Sequence, residues 1–545
     1  MTAPAADAHP RGTGATAAAH PPAGAPGGAA GSGVDGAAET RRSARSGIAG
    51  LLGAATSGLF GFLLAVVITR GYGPTGAGAF FAAIGVVTVA TGVCTLGAET
   101  GLMWALPRRR SGVRGDAARV LPVALLPPLL AAVLVAAAGA LAADTLAPRL
   151  LDGSGAEGPP LLAVTFAVVP VVVGMTLLLA VVRCVRPMRA YVGVQFVLLP
   201  VARPALVGAA ALTGGGLLAG MTGWLVPAAL ALLVCLALVA GPLGVPAGAR
   251  LRPTPADWST FWRFALPRAA SAAIDAGSMW VGVLLTTVLA GQADAGVFGA
   301  VGRYVLAGQL AMQGLRVAVS PQLSRLLGLG ERAAAAAVHR QLTAWSLVLS
   351  WPVYLLLAAF GPAFLALFGP EFGAGAPALA VLALAMLVNT GVGNVQSLLL
   401  MGGRSGLHLA ATLAGLLVTV TLGLLLIPGH GATGAALAWA AGIVTENLTA
   451  AGCARVVVGQ PLVDRALGRA ASVTVGAVGC AALAGASVAG RGIPGLVLAL
   501  GVLAAGGAGL ATMPGVRRRV RATVEQLRGR EAAPPPGVPA PTRGR

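Results

Sequence analysis

Charged and amide side chains lie within two long apolar stretches near the middle of the 545-residue chain. An ionised side chain at the centre of a bilayer costs about 2.5–3.5 kcal/mol or more, so such residues need a functional or structural reason. Arginine in this setting is a candidate anion ligand, because its guanidinium meets phosphate oxygens with two parallel hydrogen bonds. The candidate ligands are Arg268 in one stretch and Arg303, Gln309, Gln313 and Arg316 in the next.

The same stretches leave structural alternatives open. Asp275 follows Arg268 by one heptad, which places both near one helical face, so they can pair with each other instead of binding a ligand. Arg316 ends an i, i+4, i+7 polar stripe and can extend to the inner membrane interface. We expect no acid on the helix that carries Arg303, which favours a functional role.

The composition indicates that these stretches lie in lipid. The chain is 57% hydrophobic and 10% charged, and its mean hydropathy is +0.84. Soluble proteins carry about 25% charged residues. One core cannot bury this much apolar surface, so the solvent of most of the chain is predicted to be a bilayer.

Fourteen apolar runs have about the 20 residues that a helix needs to cross roughly 30 Å of hydrocarbon. The sequence therefore predicts an all-α polytopic membrane protein. The predicted spans lie near 48–69, 79–103, 120–143, 161–182, 190–212, 217–240, 264–290, 296–319, 341–364, 376–401, 406–427, 431–455, 469–490 and 493–513.

The arginines alternate between the two sides of the predicted bundle. Clusters precede the first span and follow nearly every even-numbered span, whereas the opposite connections hold only Arg70, Arg149 and Arg491. The positive-inside bias then places both termini in the cytoplasm and the chain in the cytoplasmic membrane. This topology also accounts for the formal net charge of +20, and with no binding module or stacking aromatics beside the arginines we predict no nucleic-acid partner.

Several chemistries are excluded or disfavoured. All 37 basic residues are arginine, so a G-x-x-x-x-G-K-[ST] phosphate loop is absent and the chain alone is not an ATP-driven pump. No H-E-x-x-H or G-x-S-x-G motif occurs, and the five cysteines stand singly. We therefore expect no enzyme activity, no cofactor, no metal site and no disulfide.

A glycine-rich segment, "RGYGPTGAG" (70–78), fits G-x-G-x-x-G but joins two membrane-length runs, so it predicts a tight external turn instead of a dinucleotide site. Its pattern recurs 218 residues later. Gly73-x-x-x-Ala77-Gly78-x-Phe80-x-Ala82 matches Gly291-x-x-x-Ala295-Gly296-x-Phe298-x-Ala300. Six spans separate the copies, which predicts a parallel repeat of two pseudosymmetric six-helix lobes followed by two C-terminal helices.

The predicted organisation follows from this repeat. The lobe of residues 46–242 is called the first half below, and the lobe of residues 263–460 the second half. The other segments are a disordered N-terminal tail (1–45), a cytoplasmic linker (243–262), an extra helix pair (461–513) and a basic cytoplasmic tail (514–545).

Three segments carry a family resemblance. "GVFGAVGRYVLAGQ" (296–309), "FGPEFGAGAPALAVLALAMLVN" (368–389) and "LLIPGHGATGAALAWA" (425–440) resemble segments of the oligosaccharide flippases. These form the polysaccharide-export branch of the multidrug/oligosaccharidyl-lipid/polysaccharide exporter superfamily. The resemblance covers about 48–460 and implies two lobes with the first, second, seventh and eighth helices around a central cavity.

The resemblance also implies a function, namely that the protein moves a polyprenyl-diphosphate-linked oligosaccharide to the outer leaflet by alternating access. Arg303, Arg268 and Arg316, with Gln309 and Gln313, would then hold the lipid diphosphate. Asp275 or Glu99 would carry a coupling proton or sodium ion. The expected partners are the lipid-linked substrate, membrane lipids and polysaccharide assembly enzymes.

Two other interpretations remain open. A multidrug or cation antiporter of the same superfamily would share the fold, but it needs an acidic cavity, whereas the deep charges here are mostly arginine. A non-transporting membrane scaffold for envelope assembly would leave the cavity charges replaceable.

Overall fold

The computed structural model describes residues 32–110, 116–240, 253–402, 404–459 and 464–512. Met1–Ile48 and Ala49–Arg545 form separate compact units. The predicted N-terminal tail, cytoplasmic linker and basic C-terminal tail lie wholly or partly outside the described residues. The boundaries of the two halves remain predictions.

Every regular element among the described residues is helical. Within the part of the chain that the structure describes, nine helical stretches are long and apolar enough to cross a membrane, the longest being Ala55–Cys94 and Ser405–Val456. The α-helices are α1 (Ser32–Cys94), α2 (Ala98–Arg110), α3 (Asp116–Leu141), α4 (Ala143–Leu150), α5 (Gly158–Ala167), α6 (Val169–Val185), α7 (Met188–Val192), α8 (Leu199–Leu212), α9 (Leu217–Ala240), α10 (Pro255–Ala290), α11 (Gln292–Gly328), α12 (Arg332–Ala359), α13 (Gly361–Leu365), α14 (Ala376–Val392), α15 (Val395–Met401), α16 (Ser405–Val458), α17 (Arg465–Ala489) and α18 (Ile493–Thr512).

The predicted spans coincide with these helices, and the all-α polytopic membrane fold is confirmed. Two long helices each contain two predicted spans, separated by a sharp bend. α1 bends at Gly73 (φ 66°) and α16 bends at Gly431 (φ 51°). Both angles lie in the left-handed region, where glycine carries no Cβ penalty, so these glycines allow the chain to reverse without a loop.

Two predicted spans break internally at residues with positive φ, which corrects the expectation of continuous helices. The second span, 79–103, breaks between α1 and α2 at Leu96 (φ 49°) and Gly97 (φ 72°). A Cβ on Gly97 would lie 2.4 Å from the Ala265 carbonyl oxygen of α10, so close packing of the two helices requires glycine there. The tenth span, 376–401, breaks between α14 and α15 at Gly393 (φ 75°).

The buried core runs through both halves. Its largest cluster includes the fully buried rings of Phe80, Phe81, Phe298, Phe368 and Phe372. A smaller cluster joins the extra helix pair to α12, with Phe360 packed among Val478, Ala482 and Ala499. The extra pair therefore packs on the outside of the second half.

Candidate functional site

The two copies of the glycine repeat contact each other where the halves meet. A Cβ added to Gly78 would lie 1.8 Å from the Gln292 carbonyl oxygen, and one added to Gly296 would lie 2.0 Å from the Pro74 carbonyl oxygen. Gly78 and Gly296 are equivalent in the repeat, and so are Pro74 and Gln292. The second arm of α1 therefore crosses the start of α11 by the same backbone contact made twice.

Arg303 lies on α11, about two helical turns after Gly296 of this crossing. Its guanidinium carbon is 5.1 Å from the ring centroid of Phe81 in the first half and 5.1 Å from that of Trp280 on α10. A guanidinium over an aromatic face is attracted by the ring quadrupole. The two rings hold Arg303 between the halves.

The Nε atom of Arg303 is fully buried and has no hydrogen-bond partner. α11 begins at Gln292, so Asp294 lies on the same helix, contrary to the expectation that Arg303 stands apart from acids. The Asp294 carboxylate instead accepts a hydrogen bond from the Ala432 backbone N–H at 2.8 Å. A buried donor without a partner is costly, and an acceptor that reached this N–H would remove the cost.

The repeat assigns a particular place to Arg303. At the same offset of 218 residues, its equivalent in the first half is Gly85. A Cβ on Gly85 would lie 3.3 Å from the Trp280 ring. At this position the first half thus has no side chain against the indole, whereas the second half has a cation near it.

The structure does not bring Arg268 to Arg303. Arg268 is exposed, with its guanidinium carbon 5.3 Å from the Phe264 centroid, and Phe264 stacks on Trp104 at 4.5 Å. Twelve residues separate Arg268 from Trp280 on α10, which is about 18 Å along a helix axis. Arg268 therefore belongs to a second level, nearer the end predicted to be cytoplasmic.

The remaining predicted ligands are only partly described. The Gln309 amide nitrogen lies 3.8 Å from the Met386 sulfur on α14, so this side chain faces the interior of the second half. The side chains of Asp275, Gln313 and Arg316 lie outside the part of the chain that the structure describes. Their roles, and the pairing of Arg268 with Asp275, remain predictions.

Glu99 lies in the first turn of α2 with an exposed side chain. It interacts electrostatically with Arg183 at the end of α6. The Arg183 guanidinium carbon lies 5.4 Å from the Tyr191 ring centroid. Glu99 thus belongs to a polar group between α2, α6 and α7, away from Arg303.

The aromatic partners of Arg303 could not be recognised from the sequence. Phe81 and Trp280 look like ordinary apolar residues of their spans, and only the tertiary structure brings their rings to the guanidinium. The offset of the repeat was the available signal, since it pairs Arg303 with Gly85 and shows that one half carries a charge where the other has no side chain.

The bent helices, the crossed repeat and the central arginine define a helical membrane bundle built from two related halves. Comparison with protein families and with curated proteins finds no match. Solved structures do match. MurJ, a lipid II flippase in an inward closed conformation, has 11% identity and a TM-score of 0.67, covering 86% of this chain and 98% of that one.

Two further structures agree with this comparison. An inward-facing MATE family multidrug resistance transporter of the MOP superfamily has 16% identity and a TM-score of 0.60, covering 76% of this chain and 96% of its own. A MOP superfamily transporter from Pyrococcus furiosus has 15% identity and a TM-score of 0.53, covering 76% and 95%. The chain therefore has the fold of MOP superfamily transporters.

Proposed function

We propose that the protein is a flippase that moves a polyprenyl-diphosphate-linked oligosaccharide across the cytoplasmic membrane by alternating access. The observation that carries the proposal is Arg303, a cation held between the two halves with a buried Nε atom that has no partner. The fold supports a transporter, and MurJ with the same fold is a lipid II flippase.

The geometry suits a diphosphate. Aromatic rings cover the guanidinium of Arg303, so its N–H edge is the part left to meet a ligand. Phosphate oxygens accept such hydrogen bonds in pairs. Because the rings come from both halves, a rearrangement of the halves changes the environment of the arginine, as binding that alternates between two states requires.

Several finer points belong to the proposal. Both termini are cytoplasmic, and Asp275 or Glu99 carries the coupling proton or sodium ion. Arg268 and Arg316 bind the diphosphate at other depths of the pathway, and Gln309 and Gln313 line it. Polysaccharide assembly enzymes act next to the protein in the membrane.

The test replaces Arg303 and measures surface glycan per amount of protein in the membrane. A hydrogen bond to a charged group contributes about 1.5–3 kcal/mol, so Arg303→Ala lowers export by at least about tenfold. Arg303→Lys retains part of it, because a point charge replaces two directed bonds, and Arg303→Glu has least. Near-equal export from wild type and Arg303→Ala would overturn the proposal.

Arg203 offers a matched control. It too is an arginine in an apolar span, with its guanidinium carbon 4.2 Å from the Trp224 ring centroid and a buried Nε atom without a partner. Both Arg203 and Trp224 lie in the first half, so this stack does not join the halves. Arg203→Ala retains export where Arg303→Ala loses it, and an equal loss in both would indicate a general packing defect.

A multidrug antiporter is the second candidate, because a MATE family transporter has the same fold at a TM-score of 0.60. The positive charge of Arg303 at the junction of the halves repels a cation, which disfavours a cationic drug as the substrate. If Arg303→Ala exports glycan normally and cells that lack the protein become sensitive to cationic dyes, the antiporter replaces the flippase. Normal glycan and normal dye resistance would favour a scaffold.

A further inference from the structure

A further contact between the halves lies at the end predicted to be external. Arg70 precedes the bend of α1 by three residues and belongs to the first half. Its Nε donates to the Leu367 carbonyl oxygen at 2.9 Å, and its Nη2 donates to the Ala366 carbonyl oxygen at 2.8 Å. Both acceptors belong to the second half.

The acceptors are groups that need such a partner. Ala366 is the C-cap of α13 (Gly361–Leu365) and Leu367 follows it, so neither carbonyl has a partner within the helix. The two donors of a guanidinium are held in a rigid fork that matches two neighbouring oxygens. One side chain thus satisfies the end of a helix in the opposite half.

An aromatic contact accompanies this polar one. Phe62, two turns before Arg70 on α1, lies 5.1 Å from the ring centroid of Tyr304 and 5.5 Å from that of Phe368. Tyr304 and Phe368 are themselves 5.3 Å apart, and the Tyr304 hydroxyl donates to the Phe364 carbonyl oxygen. We call Phe62, Tyr304 and Phe368 the aromatic seal.

The aromatic seal is adjacent in sequence to Arg303, the residue proposed to bind the substrate. Tyr304 directly follows Arg303 on α11, and neighbouring residues of a helix project about 100° apart. A movement of α11 that repositions Arg303 must therefore also move Tyr304 against Phe62. Tyr304 of the aromatic seal and Arg303, the proposed binding residue, therefore move together as parts of α11.

Arg70 is unusual for its position in the predicted topology. Arg70, Arg149 and Arg491 are the only basic residues in connections predicted to be external, against the positive-inside bias. Arg491 repeats the fork, donating to the Ala359 carbonyl oxygen at 2.7 Å and to the Ala358 carbonyl oxygen at 3.2 Å, at the end of α12. Arg491, however, lies in the extra helix pair and does not join the two halves.

We propose that Arg70 is an external latch, which holds the two halves closed at their outer end and must release the Ala366 and Leu367 carbonyls each time that end opens. The closing of the outer end by Arg70 does not depend on the proposed function. Only the role of this closing in a transport cycle rests on that function. The released carbonyls face the external side and can bond water when the latch is open. Arg70 is a conformational residue and does not bind substrate.

The experiment measures distances across the outer end of the full-length protein in lipid. Spin labels are placed on cysteines that replace Thr75, beside the bend of α1, and Ala374, in the connection before α14, after the five native cysteines have been removed. Both positions are exposed. Arg70→Ala increases the ratio of long to short distances about tenfold relative to the labelled parent, Arg70→Lys increases it less, and Arg491→Ala leaves it unchanged.

An unchanged distribution in Arg70→Ala would overturn the latch, and so would equal shifts in Arg70→Ala and Arg491→Ala. Arg70→Gln keeps most of the side chain and serves where the alanine variant does not accumulate. The outcome is separable from the proposed function. A shift in Arg70→Ala together with normal export from Arg303→Ala would keep the latch and overturn the flippase.

Discussion

Gly85 and Arg303 occupy equivalent positions in the two halves of the repeat, and both lie against the indole of Trp280. The halves are therefore alike in backbone and different in charge at the place where they meet. The junction holds one guanidinium because only one half has arginine at this position. If both halves had the same residue there, the junction would hold either two cations or none.

The space beside Gly85 can be tested directly. Gly85→Leu places a branched side chain where a Cβ alone would be 3.3 Å from the Trp280 ring, so the indole must shift and its stack with Arg303 is disturbed. We expect export per amount of protein to fall severalfold, with the variant still present in the membrane. Gly476→Leu on α17 is the control, because no atom lies within 4 Å of a Cβ there. Full export from Gly85→Leu would show that the stack on Trp280 is unimportant.

The span pattern could be predicted from the sequence because each span is an apolar run of helix length, and turns within the long helices contain a glycine. The bend at Gly73 belongs to this class. The break at Leu96 and Gly97 could not be predicted, since it depends on the approach of Ala265 from α10, far away in the chain. An unbroken apolar run contains no signal for a contact of this kind.

The candidate site, like the fold, could be predicted only in part. A charged residue in an apolar span is conspicuous, so Arg303 could be selected from its setting. Its stacking on Phe81 and Trp280 depends on three elements that meet only in the folded chain. The direction of Gln309 was equally hidden, because helical periodicity gives a face but does not say which neighbour covers it.

The predicted topology has its own test, labelling of single cysteines with a membrane-impermeant maleimide in intact and in permeabilised cells. Cysteines at Gly153 and Gly373 should react in intact cells, whereas those at Gly112 and Gly330 should react only after permeabilisation. Gly330 is the most informative of the four positions, because it lies two residues after the end of α11. Reaction of that position in intact cells would make both the number of spans and the repeat assignment wrong.

Asp294 is predicted to stabilise the second arm of α16. Its carboxylate accepts from the Ala432 N–H at 2.8 Å, directly after the bend at Gly431, where the first N–H groups of a helical arm have no internal partner. Loss of such a cap costs about 0.5–2 kcal/mol. Asp294→Ala should lower the melting temperature of the purified protein, and Asp294→Asn, which keeps an acceptor, should lower it less. Equal melting of all three proteins would contradict the cap.

The crossing of the halves gives the last prediction, which concerns Gly78 and Gly296. Glycine to alanine inside a helix ordinarily stabilises it by about 1 kcal/mol. Here the added methyl group would lie 1.8 Å from the Gln292 carbonyl oxygen or 2.0 Å from the Pro74 carbonyl oxygen, and both obstacles are backbone atoms that cannot rotate away.

The effect should therefore have the opposite sign at the crossing. Overpacking costs about 1–3 kcal/mol, so Gly78→Ala and Gly296→Ala should each lower the melting temperature. Gly479→Ala on α17, where a Cβ meets nothing within 4 Å, should leave it unchanged or raise it. Because the two contacts are equivalent in the repeat, the two single variants should also resemble each other. A stable Gly78→Ala beside an unstable Gly296→Ala would show that the contacts are not equivalent, and stability of both would mean that the helices do not cross this closely.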